Sequence, residues 1–135
     1  MEFNIRTLNS SDYEDTLVGW WNDWGWKEAP AKDFLPDEGK GGLIVLDGSK
    51  PVCAGFVYIS SNANVAWIEW IISDKKVKKN RQEALNYLIE TLILYCKQID
   101  MKYILANNNN QHLIKKFLDL GFTQGSQTTE LIKKI

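Results

Sequence analysis

The nine residues VAWIEWIIS, Val65 to Ser73, constrain the fold more than any other stretch of the chain. Read as a strand, they are apolar on both faces except at Glu69. A strand with no polar face has to sit inside a sheet that is covered on both sides. The rest of the chain must therefore supply neighbouring strands and two covering layers.

The neighbours are legible on either side. LIVLD (43–47) leads through the turn DGSKP to VCAGFVYIS (52–60), and SNAN (61–64) turns the chain into VAWIEWIIS. Turn chemistry and length favour antiparallel hairpins. Upstream, FNIRTL (3–8) reads as a first strand. Ser10, Ser11 and Asp12 are N-cap types, and a helix follows with Tyr13, Leu17, Trp20, Trp21 and Trp24 on one face and Gly25 at its end. The segment 26–42 holds Pro30, Pro36 and several glycines and reads as a loop with one helical turn around Lys32–Leu35. Downstream, a helix from about Gln82 carries Leu85, Leu88, Ile89, Leu92, Ile93 and Cys96 at helical spacing. KYILAN (102–107) is a short strand, so a parallel crossover is expected. Asn107–Asn110 is turn-forming, and Leu113, Ile114, Phe117 and Leu120 mark a last helix closed by Gly121. TTELIKKI (128–135) reads as a final strand. The expected fold is a single α/β domain over 1–135, a mixed central sheet of about six to seven strands with helices on both faces.

Charge and cysteine content narrow the function. Sixteen basic side chains against seventeen acidic ones leave the chain nearly neutral, which argues against non-specific nucleic-acid binding. Cys53 and Cys96 form no C-x-x-C pair; one structural disulfide between them is the alternative to buried reduced thiols in a cytoplasmic protein, which are expected. The opening residues show no signal peptide, and no window approaches the ~18 apolar residues of a membrane span. The lone His112 has no ligand-spaced Cys, Asp or Glu, so no metal is expected.

The stretch KKVKKNRQEALNYLIETL, from Lys75, places Lys75, Lys76, Lys78, Lys79 and Arg81 just ahead of a helix. A helix N-terminus carries partial positive charge and disfavours cations. Either the lysines are a solvated basic loop, or the helix start holds a ligand with several negative charges, such as a pyrophosphate or a 3′-phosphate.

The element order and these residues together resemble the GNAT superfamily of acyl-CoA-dependent N-acyltransferases over nearly the whole chain. In that family an R/Q-x-x-G-x-G/A loop holds the CoA pyrophosphate, and the matching positions are Lys79, Gln82 and Ala84, with Lys78, Asn80 and Arg81 beside them. Gln82 stands where the family has glycine. The family's N-x-x-A-x-x-x-Y-x-x-x-G-F corresponds to NNQHLIKKFLDLGF, with Asn109 or Asn110 as its asparagine and Phe117 at the tyrosine that commonly protonates the leaving thiolate. The resemblance implies acetyl-CoA as co-substrate and a primary amine as acceptor. It places the pantetheine arm between the strand ending at Ile72 and the strand at 103–107, oriented by backbone groups near Ile71 and Ile72. Glu69 is the candidate general base, with a pKa raised by its apolar flanks Trp67 and Trp70. Trp26 and Phe34, off the helical periodicity and near two prolines, are candidates for an acceptor pocket. A GNAT-fold binding protein with weakened catalysis is the alternative. Small GNAT-like chains with Trp-rich first helices resemble proteins carried by bacteriophages, and an exposed Trp-rich face is a candidate homodimer surface.

Overall fold

The structure, a computed structural model, describes residues 2–135. Five strands lie in the sheet order β1-β2-β3-β4-β5. They are β1 (Phe3–Thr7), β2 (Gly42–Asp47), β3 (Lys50–Ile59), β4 (Val65–Ser73) and β5 (Tyr103–Ala106). The first four pair antiparallel, as the turn sequences require, and β5 joins β4 in parallel. The helix α2 (Arg81–Gln98) makes the connection between those two, and α3 (Gln111–Asp119) follows β5. The first helix, α1 (Val18–Asp23), continues a wider π-turn over Tyr13–Leu17.

Two apolar clusters form on opposite faces of the sheet. One joins Val45, Val57, Ala66 and Ile68 to Leu85, Leu88, Ile89 and Leu92 of α2 and Phe117 of α3. The other joins Ile44, Ala54, Phe56 and Ile72 to Leu17, Trp20 and Trp21 of the first helical segment. Helices therefore cover both faces, and β4 lies inside the sheet.

β4 is not a regular strand. Phe56 opposes Glu69 and Ala54 opposes Ile72, so Gly55 faces two residues, Trp70 and Ile71. Trp70 takes a positive φ of 58°. An inserted residue reverses the facing of everything beyond it. Ala66, Ile68 and Ile71 face α2, whereas Trp70 and Ile72 pack on the α1 side. Gly55 leaves room for this bulge. A Cβ there would lie 3.2 Å from Leu92, 3.3 Å from Ile71 and 3.4 Å from Leu88.

Three expectations are corrected. Residues 128–135 form no strand, and the sheet has five strands rather than six to seven. The apolar residues of that tail, Leu131 and Ile132, are consecutive and precede two lysines, so no face of a half-buried strand can be built from them. Asp12 does not cap the first helix. Its carboxylate takes a bidentate pair of bonds from Arg6 at 2.8 and 3.0 Å and one from the Asn9 N–H at 2.7 Å. Burial works to raise the Asp12 pKa, but these donors outweigh it and hold the group below the ordinary carboxylate range. Trp24, although spaced with Leu17 and Trp20, is half exposed and leaves the core for the segment before α2.

Candidate active site

The start of α2 has the character of an anion cradle. Asn80 at the N-cap adopts a left-handed conformation and makes no side-chain capping bond. The backbone N–H groups from Lys78 to Glu83 donate to no acceptor among the described residues, and the first bond of the helix runs from Ala84 N–H to Asn80 C=O at 3.1 Å. Free amides at the positive end of a long helix favour an anion. Lys78 and Lys79 are exposed and have no ion-pair partner among the described residues.

The other cations there are differently employed. Lys75 Nζ and Arg81 Cζ stand 5.3 and 5.5 Å from the Trp24 ring centre, in cation–π range. The Trp24 indole N–H donates to Ser73 C=O at 2.8 Å, and Arg81 donates to Lys75 C=O at 3.3 Å. Trp24 thus ties the end of α1 to the end of β4 and to the turn that shapes the cradle. Gln82 is exposed in the first turn, and Ala84 is fully buried against the sheet.

Beside the cradle the sheet opens. The β4–β5 ladder pairs Val65 with Tyr103 and ends with Ile68 opposite Ala106. From Glu69 to Ser73, β4 is paired only on its β3 side; the backbone of Ile71 lies on this open stretch, Ile72 pairs with Ala54 of β3, and the Ser73 C=O is taken by Trp24. The Asn107 side chain, just past β5, donates to Glu69 Oε1 at 3.0 Å where the strands part. Asn110 caps α3 by accepting from the N–H groups of His112 and Leu113 at 3.0 and 3.2 Å. Asn109 is exposed beside it. Phe117 is buried, its ring centre 5.0 Å from that of Phe122 in an edge-to-face pair.

Glu69 lies half-buried in a cleft of about 430 Å³ walled by Phe34, Tyr58, Trp67 and Trp70, with Glu130, Leu131 and Ile132 of the C-terminal segment opposite. Burial pushes the Glu69 carboxyl above the ordinary glutamate range. The Asn107 amide offsets part of that, and the nearby Glu130 charge adds to it. The aromatic wall is cross-linked by hydrogen bonds. The Trp70 indole N–H donates to Tyr58 Oη at 2.8 Å, and that hydroxyl donates to Phe34 C=O at 2.9 Å. Phe34 meets Trp70 edge-on, with ring centres 6.0 Å apart. Trp26 packs against Trp70 from behind at the same 6.0 Å. Of the two aromatic candidates from the 26–42 loop, Phe34 lines the cleft and Trp26 supports its wall.

Sequence reasoning missed Asn107, Tyr58, Trp24 and Glu130. Asn107 lay in a run read as a turn, and nothing in the sequence pairs it with a residue 38 positions away. Tyr58 is on the strand beside Glu69 and shares its face, which alternation alone could have revealed. The two cysteines are free and buried, and burial lifts the Cys53 thiol to about 12. Among the described residues no helix is long and apolar enough to cross a membrane.

No protein-family model matches the chain, and no curated protein does. Solved structures do. Glucosamine-6-phosphate N-acetyltransferase from Arabidopsis thaliana superposes with a TM-score of 0.68 at 12% identity, covering 99% of this chain and 100% of that one. An aminoglycoside acetyltransferase from an uncultured soil metagenomic sample, in complex with sisomicin, gives 0.69 at 12% identity over 98% of this chain and 96% of its own. N-acetylglutamate synthase from Neisseria gonorrhoeae, complexed with coenzyme A and N-acetyl-glutamate, gives 0.69 at 15% identity over 93% of this chain and 29% of its own. At such identities the likeness is one of fold, and the fold is that of the GNAT acetyltransferases.

Proposed function

We propose that this chain is an N-acetyltransferase that moves an acetyl group from acetyl-CoA to a primary amine by direct attack. One observation carries the reading: a set of free amides and cations at the start of α2 adjoins a gap in the sheet that opens at a carboxylate. Acetyl-CoA supplies the acetyl group as a thioester. The amides of Lys78 to Glu83 suit its pyrophosphate, and Lys78, Lys79 and Arg81 add charge. The open side of β4 around Ile71, next to Ile72, suits the amide groups of a pantetheine arm. Asn109, Asn110 and Phe117, at and behind the start of α3, would flank its sulfur end.

Glu69 takes a proton from the acceptor ammonium, and its raised pKa suits it to that exchange. The freed nitrogen lone pair attacks the thioester carbon, an N–C bond forms and the C–S bond breaks. A backbone N–H on the open edge of β4 faces the carbonyl oxygen as negative charge builds there. As the C–S bond breaks, the nitrogen sheds its second proton, and water relays that proton to the departing sulfur, because Phe117 has none to give. The acceptor is a small-molecule or peptide amine. The free thiols suit a reducing, cytoplasmic setting.

Calorimetry with acetyl-CoA and desulfo-CoA tests the reading. Absence of binding at millimolar ligand ends it. Glu69→Gln should lower turnover by ~10²–10⁴ and leave CoA affinity intact. Lost affinity instead would make Glu69 a structural residue. The buried, hydroxyl-free Phe117 favours a second reading, a GNAT-fold binding protein with weakened catalysis. CoA binding with no thiol release from any amine would select it.

A further inference from the structure

The cleft at Glu69 has a chemistry that selects among amines. We propose that the acceptor is a hydrophobic, positively charged amine, held between the aromatic wall and the two carboxylates. This rests on the acetyl-transfer reading above.

Three features support it. The first is charge. Glu69 and Glu130 both face the cleft, and neither has an ion-pair partner among the described residues. Among the described residues no Lys, Arg or His lines it. An acceptor bearing a phosphate or free carboxylate would meet like charge with nothing to neutralise it. The ammonium of an amine meets the complementary sign.

The second feature is the shortage of hydrogen-bond partners for neutral polar groups. Among the described residues that line the cleft none carries an amide or aliphatic hydroxyl, and the nearby Asn107 amide already donates to Glu69. The Tyr58 hydroxyl is already engaged, accepting from Trp70 and donating to the Phe34 carbonyl. A polyhydroxylated amine would surrender its water and find few replacements. An aromatic or aliphatic body would instead cover Trp67, Trp70 and Phe34, with Leu131 and Ile132 closing over it from the tail.

The third feature is rigidity. Trp70 is held by the Tyr58 hydrogen bond, by Phe34 edge-on and by Trp26 behind. Its ring face is therefore set before any ligand arrives, which suits a cation–π contact with an ammonium on its way to Glu69. The tail residues 130–132 also gain a role. They form no strand, but they provide one carboxylate and the apolar side of the cleft.

The test titrates the protein with 2-phenylethylamine, 3-phenylpropionate and glucosamine by calorimetry, and then measures thiol release from acetyl-CoA with each amine. 2-Phenylethylamine should bind at least ~10-fold tighter than the other two, as expected when the charge of the cleft is matched rather than opposed. Glu130→Gln should weaken that binding roughly threefold at low salt and by less at high salt, because the carboxylate acts through a screened charge. Phe34→Ala should weaken it at every salt concentration. Equal or tighter binding of 3-phenylpropionate or glucosamine overturns the proposal, as does binding of none of the three. If 2-phenylethylamine binds but no amine releases thiol, the cleft assignment stands and the transferase reading falls. If glucosamine releases thiol and 2-phenylethylamine does not, the transferase reading stands and this proposal falls.

Discussion

Lys78→Ala combined with Lys79→Ala probes the cradle at the start of α2 without disturbing its scaffold. Both side chains are exposed and neither makes an ion pair among the described residues, so the double variant should melt within a few degrees of the wild type, as surface changes away from special features do. A lysine ammonium about 5 Å from a phosphate oxygen gains about 0.8 kcal/mol at a dielectric constant near 80 and about 3 kcal/mol near 20. Exposure puts these two lysines close to the first figure. At about 1 kcal/mol each, the pair should be worth roughly 25-fold in Kd for CoA at low ionic strength. Screening shortens the reach of the charges from about 10 Å at 0.1 M salt to about 3 Å at 1 M, so most of the difference should vanish at high salt. Calorimetric titration of CoA at both salt concentrations reads the effect. An unchanged Kd, or a loss equally large in both salts, would refute the assignment of the diphosphate to this helix start.

Glu69→Gln should also affect stability in a pH-dependent way. The folded-state pKa of Glu69 is raised, so its contribution is fully present below the unfolded value of about 4.3 and is lost as pH rises through the folded value. Gln keeps the acceptor for Asn107 and never ionises, so the variant should melt above the wild type at pH 8 and alongside it at pH 4. Asn107→Ala removes the hydrogen bond that lowers the Glu69 pKa and should move the rising limb of the pH–rate profile to higher pH. Gly55→Ala presses a Cβ to 3.2 Å from Leu92 behind the bulge and should cost about 1–3 kcal/mol in denaturant unfolding.

Periodicity made the sheet and the long helix legible. β4 has the bounds read from its apolar run, and α2 starts within a residue of the expected position because six apolar side chains share one spacing. The GNAT order followed from those elements. What stayed hidden depends on backbone states and on distant partners. The bulge places a tryptophan in a left-handed conformation, which no local propensity favours. The spacing of Trp24 matched the core face, but Ser73, Lys75 and Arg81 draw it away, and all three lie about fifty residues further along the chain. The tail had β-forming residues and lacked an alternating face. Glu69 and the basic helix start were picked out from their chemistry. The gap that opens beyond Glu69 comes from the point where one ladder stops.

That stopping point also sets how the protein should behave as a hydrogen-bonding surface. An interior strand that lacks a partner strand along one side over several residues behaves locally like the border of a sheet, although it lies between two neighbours. Whatever carries peptide-like groups into the gap completes the sheet for as long as it stays. Amide hydrogens between residues 69 and 73 that point into the gap should then exchange with solvent more slowly, and release of the spent thiol should return them to rapid exchange.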